Sequence, residues 1–343
     1  MSCGFPTHDA DETYTIHVPA HGAPHQISIN SKTVWGALRA FETLSQIVYA
    51  NDEHHLFLNQ TEIEDAPRYK YRGLLLDTAR HYLPKKIILA NLDAMAYNKF
   101  NVFHWHLVDD QSFPFVSKQY PNLSKKGAYT EKHVYSTDVI NEVISYARMR
   151  GIRVIPELDS PGHTHALAKA FPDLLTPCYK NGKSHQANYP HYDATEVLNP
   201  MKNETYSIMK NLYSEFKSIF KDQYIHLGMD EVMYSCWKSS PEISQFMVKH
   251  GMKAYHEVEE YYVKLTLSNV KEVGYKYLIW QDPVDNGVKV LNLSFYQINF
   301  LFNCLQLAPD SIVGVWKDKH LDPSMDLWQN YISKVAKKSK LAK

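Results

Sequence analysis

Asp230 and Glu231 stand side by side at the end of a short apolar run, in His226-Leu227-Gly228-Met229-Asp230-Glu231. Tyr224-Ile225-His226-Leu227 reads as a buried strand leading into them. Carboxyls at the end of a buried strand are costly to desolvate, so they usually have a task. Neighbouring strand residues point to opposite faces, but where the strand ends the chain can turn both carboxyls into one pocket. Two carboxyls in unlike environments are the usual equipment for cleaving a glycosidic bond. In isolation the same pair would serve as an exposed helix cap. The rest of the chain argues against that reading.

Stepping outward, the elements that would position this pair form a repeat. Apolar strands are expected over residues 71–77, 102–108, 153–158, 225–228, 277–280 and 312–316, with helices over 84–97, 137–150, 206–220 and 254–273. Nearly every strand ends in a polar group. Arg80 follows the first, His106 and Asp109 end the second, and Asp159 and His163 end the third. Asp230 and Glu231 end the fourth, while Trp280 and Trp316 end the fifth and sixth. Such an alternation is the signature of an α/β chain folded as a (β/α)8 TIM barrel, whose active site lies at the C-terminal strand ends. About six strands are countable, with one further helix over 325–336, so the barrel reads as incomplete. An Arg for hydroxyls, carboxylates for acid chemistry and Trp faces for a pyranose together make a carbohydrate pocket.

Ahead of the barrel, residues 1–67 read as part of a small α/β domain, leaving 68–343 as the catalytic domain. Residues 14–18 and 26–29 alternate as half-buried strands. Residues 33–48 read as an amphipathic helix with Val34, Leu38, Phe41, Leu44 and Val48 on one face. The charged stretch Glu62-Ile63-Glu64-Asp65 and Pro67 mark the boundary.

The 343 residues are 44% hydrophobic and 22% charged, enough to bury a full core. Lys+Arg and Asp+Glu both number 37, and the only basic run is the short tail at Lys337-Lys338, which speaks against nucleic-acid binding. No N-terminal apolar segment resembles a signal peptide. Sequons at Asn59, Asn122, Asn203 and Asn292 nevertheless point toward a secretory protein, which would place the true start upstream. The cysteines Cys3, Cys178, Cys236 and Cys304 form no metal-spaced motif, and spacing alone does not pair them.

Three stretches then carry a resemblance. Arg72-Gly73-Leu74-Leu75-Leu76-Asp77-Thr78-Ala79-Arg80-His81-Tyr82, Asn101-Val102-Phe103-His104-Trp105-His106-Leu107-Val108-Asp109-Asp110 and the motif around Asp230-Glu231 closely resemble the family 20 β-N-acetylhexosaminidases, nearest the animal lysosomal α and β subunits. The resemblance implies retaining hydrolysis without an enzyme nucleophile, the 2-acetamido oxygen of the substrate attacking the anomeric carbon. Glu231 matches the general acid/base, and Asp230 the residue that holds the acetamido N–H. Asp109 and His163 match the pair that tunes the acid. Arg80, Asp159, Trp280 and Trp316 match sugar-binding positions. Cys178 and Cys236 match a family disulfide, and Cys3 a cysteine whose partner lies upstream. The resemblance also implies glycan substrates (glycoproteins, glycolipids, chitin-type oligosaccharides), no cofactor or metal, glycosylation at Asn59, Asn122 and Asn203, a dimeric full-length form, and a lysosomal or secreted location.

Some residues depart from the pattern. Met229 stands where a second glycine is common, and a side chain there is expected to crowd the turn. Pro283 is expected to bend the loop after the fifth strand. Residues 291–306 are unlike the family and read as retained non-coding sequence or an unusual isoform, so Asn292 within them is set aside. The family's last two strands, with a Tyr that bonds the acetamido oxygen, a Trp and a Glu, are expected to be absent. On that basis the chain as written would fold poorly and be catalytically impaired, or survive as a sugar-binding remnant. A distant alternative is a metal-dependent barrel hydrolase using His104-x-His106 or His163-x-His165 as ligands.

Overall fold

The computed structural model describes residues 4–20, 26–184, 188–189, 192–193, 197–289 and 311–316. The segment 291–306 with Asn292 and Cys304, the expected helix 325–336 and Cys3 lie outside them.

The N-terminal unit is a three-stranded antiparallel sheet. Strand β1 (Tyr14–Val18) lies between β2 (Ser28–Ser31) and β3 (Thr61–Asp65), so Ile16 faces both Ile29 and Ile63 in register. The charged stretch 62–65 is a strand: Glu62 and Glu64 point to solvent while Ile63 joins Ile16 in the core. Helix α1 (Val34–Ile47) begins at Thr33, whose Oγ1 accepts from Gly36 N–H at 3.2 Å.

The buried stripe of α1 is not the one made of its largest side chains. Gly36, Arg39 and Ala40 are buried, whereas Phe41 is 58% exposed and Val48 is also exposed. Gly36 explains the choice: a Cβ there would lie 2.3 Å from the Thr13 carbonyl oxygen, so only a hydrogen lets the helix sit this close to the sheet. Arg39 then turns inward to Glu12, Nε to Oε1 at 2.7 Å, and donates to the carbonyls of Gly151 and Arg150 at 3.0 and 3.2 Å. Glu12 Oε2 also receives Arg72 at 2.7 Å. This buried pair docks the small domain onto the barrel.

The second unit is a six-stranded parallel sheet in the order β9-β8-β7-β6-β5-β4. Its strands are β4 (Gly73–Asp77), β5 (Val102–His106), β6 (Arg153–Ser160), β7 (Tyr224–Gly228), β8 (Lys276–Trp280) and β9 (Ile312–Gly314). It is the described part of a (β/α)8-type barrel. Every expected strand is present, displaced by at most two residues at an end. Helices α2 (Lys85–Tyr97), α3 (Thr137–Arg148), α4 (Asn203–Ile219) and α6 (Tyr255–Val273) follow in turn, with a short α5 (Tyr234–Ser239) between the last two.

Period-two alternation divides each strand between two environments. Phe103, Trp105, Val154, Leu158, Ile225, Leu227 and Ile279 face outward into a core shared with Ile88, Leu92, Ile140, Phe216 and Tyr262 of the helices. The inward residues stack in layers. Val102, Ile155, Tyr224 and Leu278 form an apolar floor. Two residues further on come His104, Glu157, His226 and Trp280, and above them His106, Asp159 and Gly228. The barrel interior thus changes from apolar to charged toward the C-terminal strand ends.

Arg39→Ala would leave buried Glu12 with Arg72 alone as its counter-charge and its Oε1 without the Arg39 donor, at a cost of about 1–3 kcal/mol. Urea denaturation of the variant should show this loss. A change below about 1 kcal/mol would mean that the pair does not anchor the two units.

Candidate active site

Arg80, Asp109, His163, Asp230 and Glu231 meet at the C-terminal strand ends. Asp77, the last residue of β4, accepts from the backbone N–H groups of Ala79 and Arg80, both at 3.0 Å, and pairs with the Arg80 guanidinium at 2.8 Å. Arg80 Nε reaches Asp109 Oδ2 at 2.8 Å, and its Nη2 lies 3.3 Å from His163 Nδ1. His163 Nδ1 is 3.3 Å from Asp109 Oδ1. On its other side His163 Nε2 faces Asp230 Oδ2 at 3.5 Å and Glu231 Oε2 at 3.4 Å.

Backbone conformation turns these groups inward. His163, Met229 and Glu231 all have positive φ, at 55°, 70° and 49°. Such conformations cost non-glycine residues about 1–3 kcal/mol each and gather at functional sites. Gly228 is the position that admits no side chain, because a Cβ would lie 1.7 Å from Asp159 Oδ1. Met229 does not crowd the turn as expected. Its side chain is fully buried in the main core and its N–H donates to Asp159 Oδ1 at 3.0 Å. Pro283 likewise does more than bend its loop: it sits in the first turn of a short helix α7 (Asp282–Asp285).

The protonation pattern follows from the partners. Burial raises the Asp109 carboxyl, but hydrogen bonds from His106 and His163 outweigh it and hold it well below the usual carboxylate range. Burial opposes a charge on His163, yet the Asp159 charge and contacts with Asp109, Asp230 and Glu231 keep its proton on well above the usual imidazole range. Burial likewise disfavours the Asp230 carboxylate, but His163 reverses this and holds it low. Burial and the Asp230 charge push Asp159 well above its ordinary value. A buried carboxyl with raised proton affinity is therefore found at Asp159, whereas the Glu231 side chain is 55% exposed.

The two tryptophans are tethered by their indole N–H groups. Trp280 Nε1 donates to Glu157 Oε1 at 3.0 Å, and its ring lies 4.4 Å from that of His226. Trp316 Nε1 donates to Asp282 Oδ2 at 3.0 Å, while Asp282 Oδ1 accepts from Glu231 N–H at 3.3 Å. Asp282 thus links the Trp316 side chain to the backbone of the acidic pair. Neither Asp282 nor Glu157 stands out in the sequence as a site residue. For Glu157 the signal available was a Glu inside an apolar strand, opposite a His-x-His pair.

That pair, His104 and His106, does point to one side, and both side chains face Glu157 Oε2 at 2.6 and 2.9 Å. His165 donates its backbone N–H to Asp110 Oδ1 at 2.9 Å. Cys178 and Cys236 form a disulfide, joining the segment after β6 to helix α5 behind the acidic pair. Asn59, Asn122 and Asn203 are all exposed.

Known proteins match most of this chain. The model of the glycosyl hydrolase family 20 catalytic domain matches residues 69–337, and a β-acetyl hexosaminidase-like model matches residues 2–47. β-Hexosaminidase subunit alpha of Rattus norvegicus is 44% identical over 316 residues, covering 92% of this chain and 54% of the relative. Subunit beta of Homo sapiens is 43% identical over 315 residues, covering 92% and 52%. The chain therefore spans about half the length of the curated relatives it matches. Among solved structures, a Flavobacterium johnsoniae chitobiase superposes with a TM-score of 0.79 at 30% identity, over 99% of this chain and 46% of that one. An exo-β-N-acetylglucosaminidase of Vibrio harveyi, solved with N-acetylglucosamine, gives 0.72 at 26% identity, over 90% and 47%.

A pH dependence follows from His163. Its folded-state value lies above the ordinary 6.5. The imidazolium therefore stabilises the fold fully below that pH, and this contribution is lost as pH rises through the folded value. Stability in urea should decline as pH is raised above about 6.5, and His163→Gln should flatten part of that decline. Equal slopes in both proteins would show that His163 gains no proton on folding.

Proposed function

The chain belongs to glycosyl hydrolase family 20, and from that premise we propose that its site releases terminal, non-reducing β-linked N-acetylglucosamine or N-acetylgalactosamine with retention. The observation that carries this reading is Asp230 Oδ1. It is buried and has no hydrogen-bond partner among the described residues, beside a carboxyl, Glu231, that opens to solvent. A buried orphan acceptor on an ionised carboxylate suits an N–H donor brought by the substrate.

In this reading family 20 departs from the two-carboxylate scheme, the substrate supplying its own nucleophile. Glu231 gives its proton to the glycosidic oxygen as the bond to the anomeric carbon breaks. The acetamido oxygen closes on that carbon, and Asp230 takes the acetamido N–H and offsets the positive charge of the oxazolinium. Water then attacks the same carbon, Glu231 recovers a proton from it, and the ring opens with the original configuration. Asp230 suits its role because His163 keeps it ionised. Asp109 and His163 orient the acid from behind. Arg80, Asp159, Trp280 and Trp316 contribute to binding the sugar.

We place the substrates among glycoproteins, glycolipids and chitin-type oligosaccharides. The Cys178–Cys236 disulfide and the exposed sequons at Asn59, Asn122 and Asn203 favour a lysosomal or secreted setting. Relatives named as subunits favour a dimeric full-length form.

Glu231→Gln should lower turnover of a chromogenic N-acetyl-β-glucosaminide by about 10²–10⁴-fold, the range of general acid catalysis. Near-normal turnover would remove Glu231 from its role. Asp230→Asn should impair substrates bearing the 2-acetamido group, and a thiazoline analogue of the oxazoline should compete for the native site. A covalent sugar trapped on Asp230 would instead make that residue a nucleophile.

A further inference from the structure

We propose that Glu157 is a positioning residue for the acid at Glu231, acting through His106, Asp109 and His163, and that it ties the same relay to the Trp280 sugar wall. The proposal rests on the family 20 reading above and adds a carboxylate two layers beneath the reacting atoms.

Glu157 is fully buried in the charged middle layer of the barrel. Its two oxygens divide the work. Oε2 lies 2.6 Å from His104 Nε2 and 2.9 Å from His106 Nδ1. Oε1 lies 3.2 Å from His226 Nδ1 and accepts the Trp280 indole N–H at 3.0 Å. One carboxylate thus joins side chains from β5, β7 and β8. With its Nδ1 held, His106 presents Nε2 to Asp109 Oδ2 at 2.7 Å. Asp109 meets His163 Nδ1 with its other oxygen, and His163 Nε2 faces both members of the acidic pair.

The groups alternate in sign: Glu157, His106, Asp109, His163, then Asp230 and Glu231. Removing the first charge weakens the hold on every later one. Burial opposes a proton on His106, but the Glu157 charge and hydrogen bonds to Asp109 and Glu157 overcome it. Burial keeps His104 neutral, lowered to about 4, so His106 carries the charge of the pair. The titratable groups around Glu157 are His104 and His106 on β5, Asp159 on its own strand, His226 on β7, Asp230 beyond β7 and Tyr71 ahead of β4.

The test compares Glu157→Gln with the native chain on two aryl N-acetyl-β-glucosaminides. The phenyl glycoside needs a proton on its leaving group, and the dinitrophenyl one does not. Glu157→Gln should lower kcat on the first by about 10²-fold, with KM within about threefold, and should have far less effect on the second. Glu157→Asp should recover part of the loss. Equal loss on both glycosides, or an unchanged kcat, would overturn the proposal.

Imidazole NMR separates this outcome from failure of the proposed activity. If the native chain cleaves neither glycoside, that activity fails for this chain, and the relay is judged by titration alone. Glu157→Gln should lower the midpoints of His106 and His163, and unmoved His106 and His163 midpoints would refute the relay. Should Glu157→Gln not fold, His106→Gln breaks the chain one link later and carries the same comparison.

Discussion

Alternation of carboxylate and imidazole from Glu157 to Glu231 allows this many ionisable groups to share the mouth of a barrel. A lone charge taken out of water costs several kcal/mol, and two like charges side by side cost more. Each group in the series has a neighbour of opposite sign, so each helps keep the next ionised. Asp159 breaks the rhythm, and it is the group whose proton affinity burial and the Asp230 charge raise. The fold does not merely tolerate the cluster. Strand spacing sets the distances at which these charges compensate one another, so the site's electrostatics and the sheet's register are a single property.

Two local constraints make that register usable. The period of two sends His104 and His106 into the barrel while Phe103 and Trp105 pack against helices. One residue of slip would exchange the charged layer for aromatic rings. At the rim, Asp159 leaves no room for a Cβ at Gly228, whose positive φ begins the turn that carries Asp230 and Glu231 out of the strand line. The small domain reaches the barrel by a separate buried pair, Arg39 and Glu12, which clamps the opposite, N-terminal end.

Much of this architecture is legible in the sequence, because parallel strands buried on both faces are apolar runs that stop at polar residues. That pattern locates all six strands and brings Arg80, Asp109, His163, Asp230 and Glu231 to one rim. It fails where contacts between distant segments override local pattern. Helix α1 offers Phe41 and Val34 as an apolar face, yet Gly36 and Arg39 face inward, because the first permits close approach and the second meets Glu12. The charges at Glu62 and Glu64 hide a strand whose pairing with β1 no local window reveals. Glu157 is unremarkable in its own strand, since the groups that give it meaning arrive from three others. The exposure of Glu231 depends on a left-handed turn that residue type does not announce.

Met229 shows how such a turn can be held without the residue best suited to it. Left-handed backbone costs a side chain roughly 1–2 kcal/mol that glycine would not incur. Removing a buried methionine side chain costs about 2–5 kcal/mol. Because this side chain is fully enclosed in the main core, the anchoring gain offsets the conformational cost. The residue behaves as a rivet: it fixes the chain at the point where it leaves the sheet, immediately before the two carboxylates.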